Sequence, residues 1–108
     1  MNTNYQLDEN LMAELKMKSV KSEKEICGFI LESNDFVEVK NVHPDPKNYF
    51  LISPADYIWE KGAILFHSHP SHIDTYGFSK WDLENQFYFQ KKMLLYSVKY
   101  DEFYFKAP

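Results

Sequence analysis

The sequence predicts a single α/β domain of the mixed α+β type, a three-layer arrangement with a mixed β-sheet flanked by helices. Three observations carry that expectation. Apolar residues recur at helical spacing near the N-terminus, a helix-capping motif opens a second helix at residue 79, and short apolar or alternating runs bounded by turn residues fill the rest. With 108 residues, 44% of them apolar and nine Phe, eight Tyr and two Trp among them, the chain can fill one core. No repeat, low-complexity tract or linker divides it, so residues 1–108 are read as one domain.

In chain order, residues 8–20 form an amphipathic helix. Leu7, Leu11 and Leu15 are spaced by four, Met12 and Val20 extend the face, and Asp8 caps it. Residues 25–32, apolar on both faces after Glu25, form an interior strand. Ser33-Asn34-Asp35 turns the chain into a second strand over 36–42. Pro44 and Pro46 make the next stretch irregular. Residues 49–52 are extended, and Ser53-Pro54 starts a short helix over 54–60 that stops near Gly62. Residues 63–67 form a buried strand and 71–78 a loop. Ser79 and Asp82 have the spacing of a capping box for a helix over 81–92, whose last residues, Lys91 and Lys92, suit its negative end. Residues 94–100 and 102–106 close the domain as a hairpin through Asp101.

Composition excludes several functions. The net charge is −4, with twelve Lys and no Arg. Arg is the usual reader of guanine, so sequence-specific nucleic-acid binding is not expected. No segment is long and apolar enough to span a membrane. The stretch MNTNYQLDEN lacks the basic and apolar regions of a signal peptide, so a cytoplasmic location is expected. Cys27, the single cysteine, permits neither an internal disulfide nor a multi-cysteine metal site, and its expected role is that of a small buried side chain.

The chemistry concentrates at His67-Ser68-His69-Pro70 and Ser79-Lys80-Trp81-Asp82. Residues two apart on a strand face the same side, so His67 and His69 aim two imidazoles at one point while Ser68 faces away. Asp82, in the first turn of the next helix, adds a carboxylate where the helix end favours negative charge. Two His and one carboxylate, with a fourth position left to water, is a catalytic zinc set. Such a site needs a base, and Glu25, opening an apolar strand, is the best candidate.

His67-Ser68-His69-Pro70 with Ser79-x-x-Asp82 and the upstream Glu25-Ile26-Cys27-Gly28 resembles the JAMM (MPN-plus) zinc metalloprotease family, closest to the compact form in phage tail-assembly proteins. Pro44 and Pro46, the segment Ser53–Tyr57 and the closing hairpin agree with that form. The resemblance spans residues 8–106 and implies a cytidine-deaminase-like fold. It implies Zn²⁺ held by His67, His69 and Asp82, Glu25 as general base and then acid, and Ser79 as a stabiliser of the oxyanion. The implied reaction is hydrolysis of a peptide or isopeptide bond in a protein or peptide substrate. Phage tail proteins are the implied partners, and host cytoplasm or virion the implied location. The gap between His69 and Asp82 is about two residues longer than the family's usual one, an insertion that a loop tolerates cheaply.

Other readings compete. His72 and Asp74 offer a second ligand set, but from a loop without a rigid support. His43, before Pro44, reads as a turn residue. Glu25 alone would be a solvated strand-start charge, and Asp82 alone a helix cap. The aromatics Trp81, Phe87, Tyr88 and Phe89 read as core. The alternative function is a non-catalytic scaffold that keeps the JAMM fold. Deamination is excluded because one cysteine cannot supply the Pro-Cys-x-x-Cys pair of zinc deaminases.

Overall fold

The computed structural model describes residues 7–108. Residues 1–6, part of the stretch read as carrying no signal peptide, lie outside the described residues. The element order is α1 (Glu9–Val20), β1 (Cys27–Ile30), β2 (Phe36–Val39), a 3-10 turn at Pro54–Asp56, β3 (Ile64–His69), α2 (Lys80–Phe89), β4 (Met93–Ser97) and β5 (Glu102–Lys106). The strands form one five-stranded mixed sheet in the order β2-β1-β3-β4-β5. Only β3 and β4 run parallel, joined by the crossover through α2; the other neighbours are antiparallel. The expected mixed α+β class is therefore the one adopted. No helix among the described residues is long and apolar enough to cross a membrane.

Strand alternation assigns the two faces of the sheet. Ile26, Ile30, Ile64, Phe66, Leu94 and Phe103 pack with Leu11 and Leu15 of α1 on one side. Cys27, Phe29, Leu65 and Met93 pack with Phe50, Ile52 and Tyr57 on the other, where Phe89 of α2 joins them. Each fully buried Leu or Phe contributes about 1.5–3 kcal/mol. The central strands β1, β3 and β4 are buried on both faces. This is why their sequences read as continuous apolar runs.

Local chemistry set α1 as expected at its start: the Asp8 side chain accepts from the Leu11 N–H at 3.1 Å. Its end differs. Val20 is 61% exposed, and Ser19 takes the buried position instead, its hydroxyl donating to the Leu15 carbonyl at 2.6 Å. Residues 11, 15 and 19 continue one stripe at steps of four, which Val20 leaves. The expected helix over 54–60 shrinks to Pro54–Asp56, and Tyr57 is already extended at φ −74, ψ 129. Tyr57 sets its ring edge-on to Phe29 at 5.1 Å and stacks on Phe89 at 4.7 Å, so tertiary anchoring overrides the local helix signal.

The second long helix also ends early. Gln90 adopts the left-handed conformation at φ 55, ψ 40, so Lys91 and Lys92 lie beyond the helix and do not complement its last turn. The Lys92 carbonyl accepts from the Leu65 N–H at 2.9 Å, which draws that residue toward the sheet. The strands are shorter than expected at 25–32, 36–42 and 94–100. Phe87 and Tyr88, read as core, are each 79% exposed, because α2 turns Asp82 and Gln86 inward instead.

Gly28 is required by the sheet. A Cβ there would lie 2.3 Å from the Val37 carbonyl oxygen and 2.7 Å from the Phe36 ring. Gly28→Ala is expected to destabilise the fold by about 1–3 kcal/mol through overpacking. Urea denaturation checks this, and an unchanged midpoint would show that β2 yields without cost.

Candidate metal centre

The site forms where β1, β3 and α2 meet. His67 and His69 project from the end of β3 on the α2 side of the sheet, while Ser68 points to the opposite face, as alternation requires. The Ser68 side chain fastens the neighbouring segment. The Ser68 backbone N–H donates to the Ile26 carbonyl at 2.9 Å, and the Ser68 hydroxyl oxygen accepts from the Ile26 N–H at 2.9 Å. The β1–β3 register pairs Cys27 with His67, so its continuation sets Glu25 across from His69. From the loop side, the Glu25 N–H donates to the Pro46 carbonyl at 2.8 Å, and the Asn41 side chain donates to the Glu25 carbonyl at 2.9 Å. Glu25 thus precedes the ladder proper, but its backbone is fixed from both sides.

Asp82 arrives from the third direction. Ser79 and Asp82 form the capping box: the Ser79 N–H donates to Asp82 Oδ2 at 2.9 Å, and the Asp82 N–H donates to Ser79 Oγ at 3.1 Å. The same Oδ2 lies 3.0 Å from His67 Nε2 and 3.0 Å from His69 Nε2. The His69 contact is a hydrogen bond. The His67 contact has the distance of one but not the alignment, so His67 Nε2 has no hydrogen-bonding partner.

Glu25, His67, His69 and Asp82 are all buried, and one ligand atom from each lies within 4.8 Å of the others. Ligands sharing one tetrahedral ion at about 2.0–2.1 Å sit roughly 3.3 Å apart, close to the spacing seen between Asp82 and the imidazoles. Glu25 Oε1, like His67 Nε2, has no protein partner. Buried polar atoms left unpaired are costly, and a cation bound among them answers that cost. The donor set, two imidazoles and carboxylate oxygen, suits a borderline divalent metal.

The electrostatics are those of a strongly coupled cluster. Burial pushes the Glu25 carboxyl up to about 10, with Asp82 and then Asp45 adding repulsion. Burial also opposes ionisation of Asp82, yet His67 and His69 outweigh it and hold that carboxyl well below the usual range. Burial lowers the basicity of His67 against the pull of Asp82. The ring of His67 stacks on Phe50 with centroids 4.6 Å apart, which fixes its orientation.

The centre borders a cleft of about 580 Å³, which reaches Glu25, His69 and Ser79, with Tyr49, Trp81 and residues 72–75 as walls. The competing ligand set is not assembled. Asp74 is bound to Lys99, and His72 donates to the Lys47 carbonyl or the Asn48 side chain from the cleft wall. His43 is a turn residue, as expected, accepting from the Asp45 N–H at 2.9 Å. Sequence reasoning missed the aromatic wall. Trp81 donates to the Phe50 carbonyl at 3.0 Å, and its ring meets His43 and Tyr49. The signal available was its position beside Asp82, which brings it to the same helix end. Neither a protein-family model nor a curated protein sequence matches the chain.

Two outcomes follow from the geometry. Asp82→Ala is expected to lower the affinity for a divalent metal ion more than about a hundredfold, beyond what loss of an outer partner costs, as read by competition with a chelating dye. Unchanged affinity would remove Asp82 from the ligand set. In metal-free protein, the raised Glu25 carboxyl stabilises the fold at low pH, and that contribution fades as pH rises toward 10. Glu25→Gln lacks this loss, so its stability advantage over wild type is expected to grow between pH 5 and 9, at most by about 1.4 kcal/mol per pH unit. Parallel melting curves with chelator present check the sign.

Proposed function

We propose that the protein is a zinc-dependent hydrolase that cuts a peptide or isopeptide bond, a JAMM-type metallopeptidase with the fold of that family. The observation that carries the proposal is the convergence of His67, His69, Asp82 and Glu25 on one buried point beside an open cleft. These are the residues that the resemblance singles out. Phage tail proteins are the proposed setting for the substrate, on the strength of that resemblance.

His67, His69 and Asp82 would hold the metal, leaving Glu25 on the cleft side. Zinc bound there supplies a Lewis acid that brings the pKa of water toward neutrality and polarises a carbonyl oxygen. Glu25 is placed to take the proton from attacking water and to deliver it to the leaving amine. Its enclosure keeps that proton from bulk solvent, and a nearby cation draws its raised pKa downward. Ser79 borders the cleft, and its hydroxyl oxygen is held by the Asp82 N–H. The hydroxyl proton is thus available to a developing oxyanion. Ser68 acts indirectly by holding the backbone beside Glu25.

Zinc-loaded wild type is expected to cleave members of a diverse peptide library. Glu25→Ala is expected to retain zinc and lose about 10²–10⁴-fold in turnover, the usual contribution of a positioned base. Equal turnover by both proteins would remove Glu25 from the mechanism. Zinc binding without cleavage of any peptide or isopeptide would favour the scaffold alternative.

A further inference from the structure

Helix α2 leaves much of its apolar surface outside. It buries Asp82 and Gln86, and the Gln86 side chain donates to the carbonyls of Lys106 at 2.7 Å and Lys91 at 3.1 Å. Leu83, Phe87 and Tyr88 face outward, the last two 79% exposed, and Trp59 beside them is 72% exposed. Monomers rarely leave a contiguous apolar strip of large side chains uncovered without a use for it. None of these four side chains is needed to close the core.

This strip is continuous with the cleft. Lys80 and Glu84 border both the cleft and a shallow depression over Leu83 and Phe87. Tyr88 borders that depression and a third one, an apolar groove of about 640 Å³ with Trp59 on its wall. Lys80, Glu84 and Tyr88 stand four apart on one helix face, so the path is unbroken. From Lys80 to Tyr88 the helix rises about 12 Å, the span of roughly four residues of extended chain. Lys80 and Glu84 neutralise each other as an i,i+4 pair, and no charged residue lines the groove.

We propose that the outer face of α2, from the cleft to the Trp59–Tyr88 groove, is a docking track for an extended, uncharged segment of the polypeptide substrate, which places an aromatic or aliphatic side chain about four residues from the bond in the cleft. The assignment rests on the peptidase reading for its direction, since the cleft marks where the track begins. A polypeptide fits better than a small molecule because the three depressions lie in line along the helix. Aromatic anchors of this kind carry most of the energy in protein recognition.

The test uses the full chain and a random peptide library. In the first arm, Glu25→Gln protein, which traps ligands without turnover, is panned against the library, with and without Trp59→Ser and Tyr88→Ser. Both positions are exposed, so the fold is expected to survive, and an unchanged circular dichroism spectrum checks this. Peptides retained by the parent are expected to be enriched in aromatic or aliphatic residues and to bind the double variant about tenfold or more weakly, the loss of one hot spot. In the second arm, zinc-loaded protein cleaves the same library. Cleaved peptides are expected to show that enrichment about four positions from the cut, with the double variant raising KM and leaving kcat unchanged.

Equal retention by parent and double variant would overturn the docking track whether or not cleavage occurs. Cleavage without positional enrichment would overturn it too and leave the peptidase reading standing. Selective retention with no cleavage by zinc-loaded protein would break the peptidase reading and, with it, the placement of a scissile bond at the track's end. A dimer in sedimentation that the double variant dissociates would assign the face to a second copy of this chain and overturn the proposal.

Discussion

One oxygen atom organises this site. Oδ2 of Asp82 accepts the Ser79 N–H, meets His69 in a hydrogen bond and lies against His67 Nε2. The first interaction belongs to helix initiation; the other two join the carboxylate to a cluster that could hold a metal ion. The start of α2 is therefore tied to the end of β3 at atomic range, and neither can shift without the other. His67 and His69 keep Asp82 ionised where burial alone would neutralise it, and the helix N-terminus favours the same charge. The cap sets the direction of the carboxylate before any cation arrives, which is the kind of rigid support a metal centre requires.

The opposite wall depends on Ser68. The usual antiparallel exchange of backbone bonds is replaced on one side by its hydroxyl, which takes the Ile26 N–H. That bond lets β1 continue past its last ladder pair far enough to carry Glu25 toward the cluster. Glu25 is then enclosed at 3% exposure, with an oxygen that has no protein partner. Burying such a group works against folding, and the two apolar layers on either side of the sheet supply the stabilisation that offsets it. The protein maintains four costly polar side chains at one point, a pattern that structural needs alone do not explain.

Much of this was legible in the sequence. The His67-Ser68-His69 alternation declares two imidazoles on one face, and Ser79-x-x-Asp82 declares a helix cap, because both motifs are local and depend only on backbone periodicity. The element order followed from the same local signals. What failed was decided by distant contacts. Tyr57 leaves the helical path to pack on Phe29 and Phe89, and Lys92 leaves it to pair with Leu65. The orientation of α2 was beyond reach for a different reason. Its apolar residues surround the helix, so periodicity could not show that Gln86 would turn inward to cap the carbonyls of Lys91 and Lys106 while Phe87 and Tyr88 turned out. The alternative ligands His72 and Asp74 were separated from the buried cluster only once their partners, Lys47, Asn48 and Lys99, were in view.

The central claim is that these side chains share one ion. An anomalous difference map from a zinc-soaked crystal, recorded on both sides of the zinc absorption edge, tests it most directly. The account predicts one strong peak bonded to His67, His69 and Asp82 at about 2.0–2.2 Å, with Glu25 facing its free position. A map with no peak among those residues, or with its peak at His72 and Asp74, would contradict it.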